Sequence, residues 1–182
     1  MVSHPIETER LIVRPFEPRD WEEVYRYTSI PDVMTYIPEG IFTEAQAQEF
    51  VRENGGEQRT AYATVLAHGQ EVIGHIIFHP WFAERTYEIG WVFHPGHHGR
   101  GYATEAAWAV MAYGFESLGL HRIIATCQPE NVASFRIMEK LGMRREGFFR
   151  QCIYRGDDIW WDEYFYAMLE EEWFSTRASQ KG

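Results

Sequence analysis

Residues 91–107 read WVFHPGHHGRGYATEAA, in which an apolar run breaks at a proline, passes two closely spaced glycines and enters an alanine-rich segment. Gly99 and Gly101 can adopt positive φ angles, and they let a ligand approach the backbone N–H groups without interference from a Cβ. We expect a helix to begin near Ala103 or Thr104, with its unpaired N–H groups directed at the same point. The stretch therefore predicts a backbone site for phosphate, although glycines are also common wherever a strand, a turn and a helix meet.

Two well-known phosphate-binding loops do not fit these residues. A Walker A loop needs Gly-Lys-Ser/Thr at the helix entrance, and the sequence has none there. A dinucleotide-binding loop needs a third small residue at Thr104 and a carboxylate about 20 residues further on, where the chain has Ile123 and Ile124. The loop is thus predicted to bind pyrophosphate in a third way.

The bulk composition predicts one domain with a large aromatic core. A chain of 182 residues is long enough for one well-buried core and short for two. Hydrophobic residues make up 45% and aromatic residues 16%, including seven Trp, which excludes a disordered chain. We therefore expect a single domain over residues 1–182, with a core at about 8–173 and a polar tail at 174–182.

Charge and cysteine content indicate which kinds of ligand and which cellular compartment to expect. The net charge of −10 argues against nucleic acid, and it suits either a cationic substrate or simple solubility. Cys127 and Cys152 are isolated and do not suggest a disulfide framework, which predicts a cytoplasmic location. The N-terminus has no signal-peptide pattern, and no stretch approaches the ~18 consecutive apolar residues of a membrane span. We expect neither a targeting segment nor a membrane partner.

The order of the predicted elements indicates a layered domain. Periodicity and turn signals predict a strand, two helices, three strands, a helix, a strand, a helix and two strands. This order is typical of a mixed sheet flanked by helices, in an α+β or α/β layered domain. The predicted elements are strand 10–16, helices 18–29 and 44–53, strands 61–67, 71–79 and 85–94, helix 104–118, strand 121–128, helix 132–141, and strands 143–154 and 159–169.

Two of these elements carry polar positions of interest. In the predicted strand before the loop, Glu88 shares a face with Gly90, whose missing side chain marks a bulge or the close passage of a ligand or backbone. In the predicted helix at 132–141, Ser134 and Met138 lie on one stripe with the preceding Asn131.

Four stretches that together span nearly the whole chain resemble one known family. They are ETERLIVRPFEPRDWEEV (7–24), YEIGWVFHPGHHGRGYATEA (87–106), NVASFRIMEKLGMRREG (131–147) and WWDEYFYAMLEEEW (160–173). They resemble the GNAT family of N-acetyltransferases, in the RimJ/RimL branch named for ribosomal-protein N-terminal acetyltransferases. The resemblance implies the acyl-CoA N-acyltransferase fold, a mixed, mostly antiparallel twisted sheet flanked by helices.

The resemblance also implies the substrates and the residues that bind them. The donor would be acetyl-CoA and the acceptor a primary amine that attacks directly in a ternary complex, with no metal. In the wider family the loop starts with Gln or Arg, where this chain has His98, so a side-chain role is less supported there than the backbone site. The residues implied to bind acetyl-CoA are Val92, Phe93, His98, Gly99, Arg100, Gly101, Ala103, Thr104, Asn131 and Ser134.

A second departure from the family concerns the general acid. Many members carry a tyrosine seven residues after the helix asparagine, where it can protonate the departing thiolate, and here that position is Met138. Methionine has no proton to give. In the RimJ/RimL branch the serine of Asn-x-x-Ser can face the sulfur instead, which makes Ser134 the candidate. The alternative is a helix hydroxyl bonded to its own backbone.

The attacking amine must be neutral, so a base that removes its proton would assist the reaction. The candidate bases are carboxylates. Glu88 is the first candidate, directly or through a water, and the alternative is an exposed strand carboxylate. Glu105 is expected to stabilise the helix N-terminus. Asp162 and Glu163 would orient a cationic acceptor or simply be surface charges. The Val92 N–H is a candidate donor to the thioester oxyanion.

The histidines invite a metal-binding interpretation, which the sequence does not favour. No carboxylate or cysteine near His94, His97 and His98 completes a ligand set. His75 and His79 fall on one face of a predicted strand and are expected at the surface of the hairpin.

The expected function is acetyl-CoA-dependent N-acetylation of a primary amine. A protein N-terminal α-amine is favoured by the branch resemblance alone, and a small amine such as an antibiotic or a polyamine is the alternative. A CoA-binding sensor or interaction module without turnover is the rival from another class, because Met138 replaces the tyrosine. The sequence leaves the oligomeric state open, a homodimer included.

Overall fold

The computed structural model describes residues 4–180, and eight strands form within them. The strands are β1 (Ile6–Glu7), β2 (Leu11–Arg14), β3 (Ala61–Leu66), β4 (Val72–Pro80), β5 (Thr86–Phe93), β6 (Arg122–Cys127), β7 (Arg144–Tyr154) and β8 (Trp160–Leu169). They hydrogen-bond in the order β1-β2-β3-β4-β5-β6-β8-β7. β5 pairs with β6 in parallel, whereas β1–β2, β2–β3, β3–β4, β6–β8 and β7–β8 are antiparallel. The predicted mixed, mostly antiparallel sheet is confirmed.

Six α-helices accompany the sheet. They are α1 (Trp21–Thr28), α2 (Pro31–Met34), α3 (Glu44–Gly55), α4 (Tyr102–Glu116), α5 (Val132–Lys140) and α6 (Glu170–Gln180), with 3-10 turns at Pro18–Asp20 and Pro95–His97. Each predicted strand and helix is present with shifted ends, and β1, α2 and α6 are additional. No helix in the described part of the chain is both long and apolar enough to cross a bilayer.

The segment 174–182, expected to be a polar tail, continues α6 as far as Gln180, and its last two residues lie outside the described part. α6 forms because Glu170–Glu172 place three carboxylates in its first turn, where they favour the helix dipole. Trp173 is completely buried, stacks on Phe115 and donates to Glu116 Oε1 at 3.0 Å. One buried indole therefore anchors a helix whose other residues are mostly polar.

The described chain forms two compact units. The first holds the described residues up to His79 together with Ile89–Tyr113, and the second holds Pro80–Glu88 and the described residues from Gly114 onward. β5 contributes its beginning to the second unit and its end to the first. The expectation of a single domain over the whole chain stays a prediction.

The first unit is built around an aromatic core beneath α1 and α3. α3 begins where the sequence predicts, because Thr43 and Gln46 form a reciprocal capping box. The buried side chains of this core are Phe16, Val24, Tyr27, Met34, Phe42, Ala47, Val51, Ala61, Ala63, Val65, Val72 and Val92. β3 is buried at five consecutive positions, so both of its faces are covered.

His75 lies inside this core, and the expectation that it lies at the hairpin surface is wrong. Its side chain is only 4% exposed, and Phe16 and Phe50 pack around its ring. The Tyr27 hydroxyl hydrogen-bonds to His75 Nδ1 at 2.8 Å, which satisfies one polar atom of each buried ring. β4 is buried at five consecutive positions, 72–76, so both of its faces are covered and a polar residue in it does not mark the side that faces water.

The second unit is an antiparallel three-strand arrangement, with β8 between β6 and β7. Asn131 caps α5 as its side chain accepts from the Ser134 N–H, and Gly142 follows the helix at φ +79°. β7 has a register shift between Phe149 and Ile153, where Gln151 adopts φ +49°. The bulge is stabilised by Asp162 Oδ1, which accepts from the Gln151 N–H at 2.7 Å.

Replacing His75 with Gln tests the buried pair through the pH dependence of stability. Burial lowers the pKa of His75 from 6.5 to about 3, so the unfolded chain takes up a proton at a higher pH than the folded chain does. The His75 contribution to stability is complete above pH 6.5 and is lost as the pH falls towards 3. We expect H75Q to reduce the slope of the free energy of unfolding below pH 6.5, by up to about 1.4 kcal/mol per pH unit in urea denaturation.

His68→Gln, in the exposed turn between β3 and β4, is the control and should leave that slope unchanged. Equal slopes in the wild type and H75Q would show that His75 does not take up a proton on unfolding.

Candidate functional site

The predicted phosphate-binding loop lies in the first unit, between the end of β5 and the start of α4. Val92 and Phe93 end β5 and are buried, whereas Gly99–Gly101 are exposed. α4 begins at Tyr102, slightly before the predicted start. The loop thus presents its backbone to solvent immediately before a fifteen-residue helix.

The two loop glycines are required by the backbone. Gly99 has φ +74° and Gly101 has φ +81°, a region that residues with a Cβ enter only with strain. A Cβ at Gly99 would meet no atom within 4 Å, and one at Gly101 would meet only Arg10 Nη2 at 3.6 Å. The positive φ angles predicted from the sequence are therefore confirmed, and the space above Gly99 is open.

The first turn of α4 supplies backbone N–H groups for an anion. The Glu105 N–H donates to the Gly101 carbonyl at 3.0 Å, which begins the helical ladder. The N–H groups of the preceding residues, through Ala103 and Thr104, have no carbonyl four residues back within the helix. Together with the positive end of the helix dipole, they form the kind of site that binds phosphate.

Two histidines of the loop form hydrogen bonds with backbone atoms. His98 Nε2 donates to the Phe93 carbonyl at 2.9 Å, and His94 Nδ1 accepts from the Gly96 N–H at 3.0 Å. His97 Nε2 lies 3.6 Å from Glu71 Oε1. Burial lowers the pKa of His94, and the neighbouring His97 lowers it further. Within residues 4–180, no group of three or more His, Cys, Asp or Glu residues is arranged to hold a metal ion.

Arg10, immediately before β2, contacts both the loop and the first turn of α4. Its Nη1 donates to the Arg100 carbonyl at 3.0 Å, and its Nε donates to Glu105 Oε2 at 2.7 Å. The guanidinium also lies over the Tyr102 ring, 4.7 Å from the centroid. One side chain therefore connects the loop carbonyl, the first aromatic residue of α4 and a carboxylate of its first turn.

Arg10 and Glu105 together form a clamp on the loop. The role of Glu105 in it is structural, as the sequence suggests. Its carboxylate accepts from the Thr8 hydroxyl at 2.6 Å and from the Arg10 N–H at 3.2 Å. Partial burial acts to raise the pKa of Glu105, but the hydrogen bonds from Thr8 and Arg10 outweigh it and hold the pKa below its usual value. The carboxylate thus stays ionised beside the helix N-terminus.

Sequence reasoning did not find Arg10. An arginine at the start of a strand is common, and its partners Arg100 and Glu105 lie at least 90 positions away in the chain. Only the placement of β2 beside the start of α4 reveals the clamp.

The second unit holds the other predicted residues. Asn131 Oδ1 accepts from the Ser134 N–H at 3.2 Å, so the asparagine fixes the first turn of α5. The Ser134 hydroxyl hydrogen-bonds to the thiol of Cys127 at the end of β6. Burial raises the pKa of Cys127 to about 12, which the Ser134 bond opposes and the charge of Glu163 reinforces. Cys127 is therefore a protonated, unreactive thiol next to the candidate general acid.

Met138 occupies the position where many family members have a tyrosine. Its side chain is 1% exposed, so it is a core residue of α5. It has no hydroxyl to offer and no access to solvent. Of the two positions in this helix that the sequence puts forward, Ser134 alone has a transferable proton.

Glu88 lies in the second unit beside a second carboxylate. The Thr126 hydroxyl is 3.4 Å from Glu88 Oε1 and also hydrogen-bonds to Glu163. Burial raises the pKa of Glu163, the bond from Thr126 opposes this rise, and the charge of Glu88 adds to it. Glu163 is thus a half-buried carboxyl rather than a surface charge. Thr126 gives no sequence signal, because threonine is an ordinary strand residue.

The structure separates Asp162 from Glu163, although they are neighbours in sequence. Asp162 accepts from the backbone of the β7 bulge at Gln151, so its role in the structure is local. Glu163 faces the other side of β8 and meets Thr126. Of this acidic pair, only Glu163 stands next to Glu88.

Comparison with known proteins places the chain in a family. Residues 10–144 match the family model described as "Acetyltransferase (GNAT) domain". The chain is 56% identical to the "Uncharacterized N-acetyltransferase YnaD" of Bacillus subtilis (strain 168) over 168 residues, which cover 92% of this chain and 98% of that protein.

Solved structures agree with this assignment. An acetyltransferase of the GNAT family from Bacillus anthracis superposes with a TM-score of 0.89 at 55% identity, over 93% of this chain and 100% of that chain. A ribosomal-protein-S5-alanine acetyltransferase from Vibrio fischeri shares the fold, with a TM-score of 0.77 at 19% identity over 94% and 99% of the two chains. The chain therefore belongs to the GNAT family of acetyltransferases, and its activity is N-acetyl transfer.

Gly99→Val tests the loop, and Gly40→Val is its matched control. Both glycines have positive φ angles, +74° and +69°, and a Cβ at either would meet no atom within 4 Å. Both variants should therefore lose similar stability, of about 1–2 kcal/mol, from backbone strain. We expect Gly99→Val alone to weaken CoA binding in isothermal titration calorimetry, by roughly tenfold or more, because its side chain blocks approach to the N–H groups. Equal CoA affinity in the two variants would contradict a backbone phosphate site at this loop.

Arg10→Met tests the clamp, since methionine keeps the apolar contact with Tyr102 and removes the hydrogen bonds to Arg100 and Glu105. We expect CoA affinity to fall several-fold while the far-ultraviolet circular dichroism spectrum is unchanged, because the loop loses its support and the elements remain. Arg19→Met is the control, since Arg19 is an exposed residue paired only locally with Glu17 among the described ion pairs. An Arg10→Met variant with wild-type CoA affinity would show that the clamp does not position the loop.

Proposed function

We propose that this N-acetyltransferase transfers an acetyl group from acetyl-CoA to the α-amine of a protein N-terminus, by direct attack in a ternary complex, as in the RimJ/RimL branch. The observation that supports acetyl-CoA as the donor is the exposed, positive-φ backbone of Gly99 and Gly101. It leads into the first N–H groups of α4, which have no carbonyl partner within the helix. A pyrophosphate fits a site of this kind because the backbone donates every bond and no cationic side chain is needed.

The remaining donor contacts follow from the family resemblance. Val92 and Phe93 would lie beside the pantetheine arm, with the Val92 N–H as the proposed donor to the thioester oxygen. His98 and Arg100 would border the pyrophosphate. Asn131 supports this assignment by fixing the first turn of α5, from which Ser134 projects.

Chemistry supports an α-amine as the acceptor. An α-amino group has a reference pKa near ~8 and a lysine near ~10.4, so at neutral pH an N-terminus needs much less help to lose its proton. The protein has a net charge of −10, which attracts cationic acceptors in general. A homodimer stays a prediction.

We assign proton transfer to two residues of the second unit. Glu88 would accept a proton from the acceptor ammonium, so that the neutral nitrogen attacks the thioester carbonyl. The Ser134 hydroxyl would donate a proton to the departing CoA thiolate, since Met138 has none. The nitrogen loses a second proton as the amide forms, and this proton would restore the Ser134 hydroxyl. The Ser134 hydroxyl already bonds to one sulfur, the Cys127 thiol, which supports a location suited to sulfur.

A product assay tests the proposal. Acetyl-CoA is incubated with N-terminal peptides, lysine-containing peptides with blocked N-termini, polyamines and aminoglycosides, while CoA thiol release and acetylated products are measured. We expect turnover with N-terminal peptides at the highest kcat/KM. Preference for a polyamine or an aminoglycoside would overturn the proposed acceptor, and CoA binding without release in any mixture would identify a sensor instead.

Ser134→Ala and Glu88→Gln test the assigned roles in the active enzyme. Each variant should lower kcat about 100-fold, the usual scale of general acid–base catalysis, with the KM for acetyl-CoA unchanged. Ser175→Ala and Glu171→Gln, on the exposed side of α6, are the matched controls and should keep wild-type kcat. Wild-type turnover in both site variants would refute these roles and leave the family assignment intact.

A further inference from the structure

Strand register brings Glu88, Thr126 and Glu163 onto one face of three neighbouring strands. Glu88 of β5 pairs with Ile124 of β6, and Thr126 of β6 pairs with Phe165 of β8. Residues two apart on a strand point the same way, so Thr126 and Glu163 lie on the side of the sheet that carries Glu88. The threonine stands between the two carboxyl groups.

The single hydroxyl proton of Thr126 cannot satisfy both Glu88 and Glu163. The hydroxyl faces Glu88 Oε1 at 3.4 Å and bonds to Glu163, yet a hydroxyl carries a single proton. When both carboxyl groups are ionised, Thr126 can donate to only one of them. When the pair holds one proton, a continuous chain forms, in which one carboxyl donates to Thr126 and Thr126 donates to the other.

The surroundings favour keeping that proton on the pair. Glu163 is half-buried, and the charge of Glu88 repels its ionised form. The charge of Glu163 acts with burial to raise the pKa of the thiols of Cys127 and Cys152. β6 also carries a cationic residue, Arg122. Its guanidinium lies over the Phe165 ring and forms an ion pair with Glu146.

We propose that Glu163 is a positioning residue that acts through Thr126, receiving the proton that Glu88 takes from the acceptor ammonium. This inference rests on the proposed function, because it assumes that Glu88 is the base. It adds two residues, Thr126 and Glu163, to the machinery of acetyl transfer.

The acceptor ammonium is the source of the proton that Glu163 receives. The ammonium N–H bond breaks, and an O–H bond forms on the Glu88 carboxylate. Glu88 then gives that proton to Thr126 Oγ1, while Thr126 gives its own proton to the Glu163 carboxylate. Glu88 is again ionised, Thr126 is unchanged, and Glu163 holds the proton. After the neutral amine has attacked and the product has left, Glu163 returns the proton to solvent.

Kinetics of three variants test the relay. Thr126→Val keeps the shape of the side chain and removes the hydroxyl that links the two carboxyl groups. Glu163→Gln removes the carboxylate that receives the proton. Each should lower kcat roughly tenfold or more with the KM for the amine unchanged, whereas Thr126→Ser should restore wild-type kcat.

The double variant T126V/E163Q separates a relay from two independent effects. Because both residues act in one proton path, its kcat should equal that of either single variant within about twofold. Multiplied losses would show two separate structural effects and would overturn the relay. Thr176→Val and Glu171→Gln on α6 are the controls for the two substitutions and should behave as wild type.

A measurement without turnover completes the test. Carbon-13 NMR of the glutamate carboxyl groups should show the pKa of Glu163 falling in Glu88→Gln and rising in Thr126→Val, with Thr126→Ser close to wild type. Unchanged titration of Glu163 in all three variants would overturn the coupling. If the wild type turns over and every variant matches it, the relay alone is wrong. If the wild type acetylates no amine, the proposed function fails and the relay falls with it.

Discussion

Backbone N–H groups bind an anion only if the loop that presents them stays open and keeps its shape, and Arg10 is the constraint that provides this. Its guanidinium reaches the carbonyl of Arg100 and the carboxylate of Glu105, so the loop is tied to the first turn of α4. His98 holds the other end through the Phe93 carbonyl. The carbonyls of Phe93 and Arg100 are thus satisfied by side chains at the two ends of this segment.

The same residue types have different roles in this molecule because burial differs. His75 is enclosed by aromatic rings and stays neutral, with Tyr27 as its hydrogen-bond partner. His98 is exposed and braces a loop. Glu105 is ionised by its donors, whereas the burial of Glu163 disfavours its charge. Chemical identity alone therefore did not reveal which histidine or carboxylate belongs to the site.

Local patterns predicted most of the fold. Thr43 with Gln46, Asn131 and Gly142 mark helix ends in the sequence and serve as helix ends in the structure. The polar segment of α6 was missed because its stability depends on Trp173, which packs against Phe115 and Glu116 from another element. A helix anchored by one buried residue has no strong periodic pattern.

The sequence by itself determined the glycine loop, its positive φ angles and the helix that follows, because these depend on residues a few positions apart. It also indicated the family, the candidate acid at Ser134 and the candidate base at Glu88. Only the tertiary structure decided that Arg10 holds the loop, that His75 is internal and that Thr126 joins Glu88 to Glu163. Arg10 lies 95 positions from Glu105, and Glu88 lies 38 positions from Thr126. Such contacts are set by which strands pair and in which register, and a one-residue slip would turn each side chain to the opposite face.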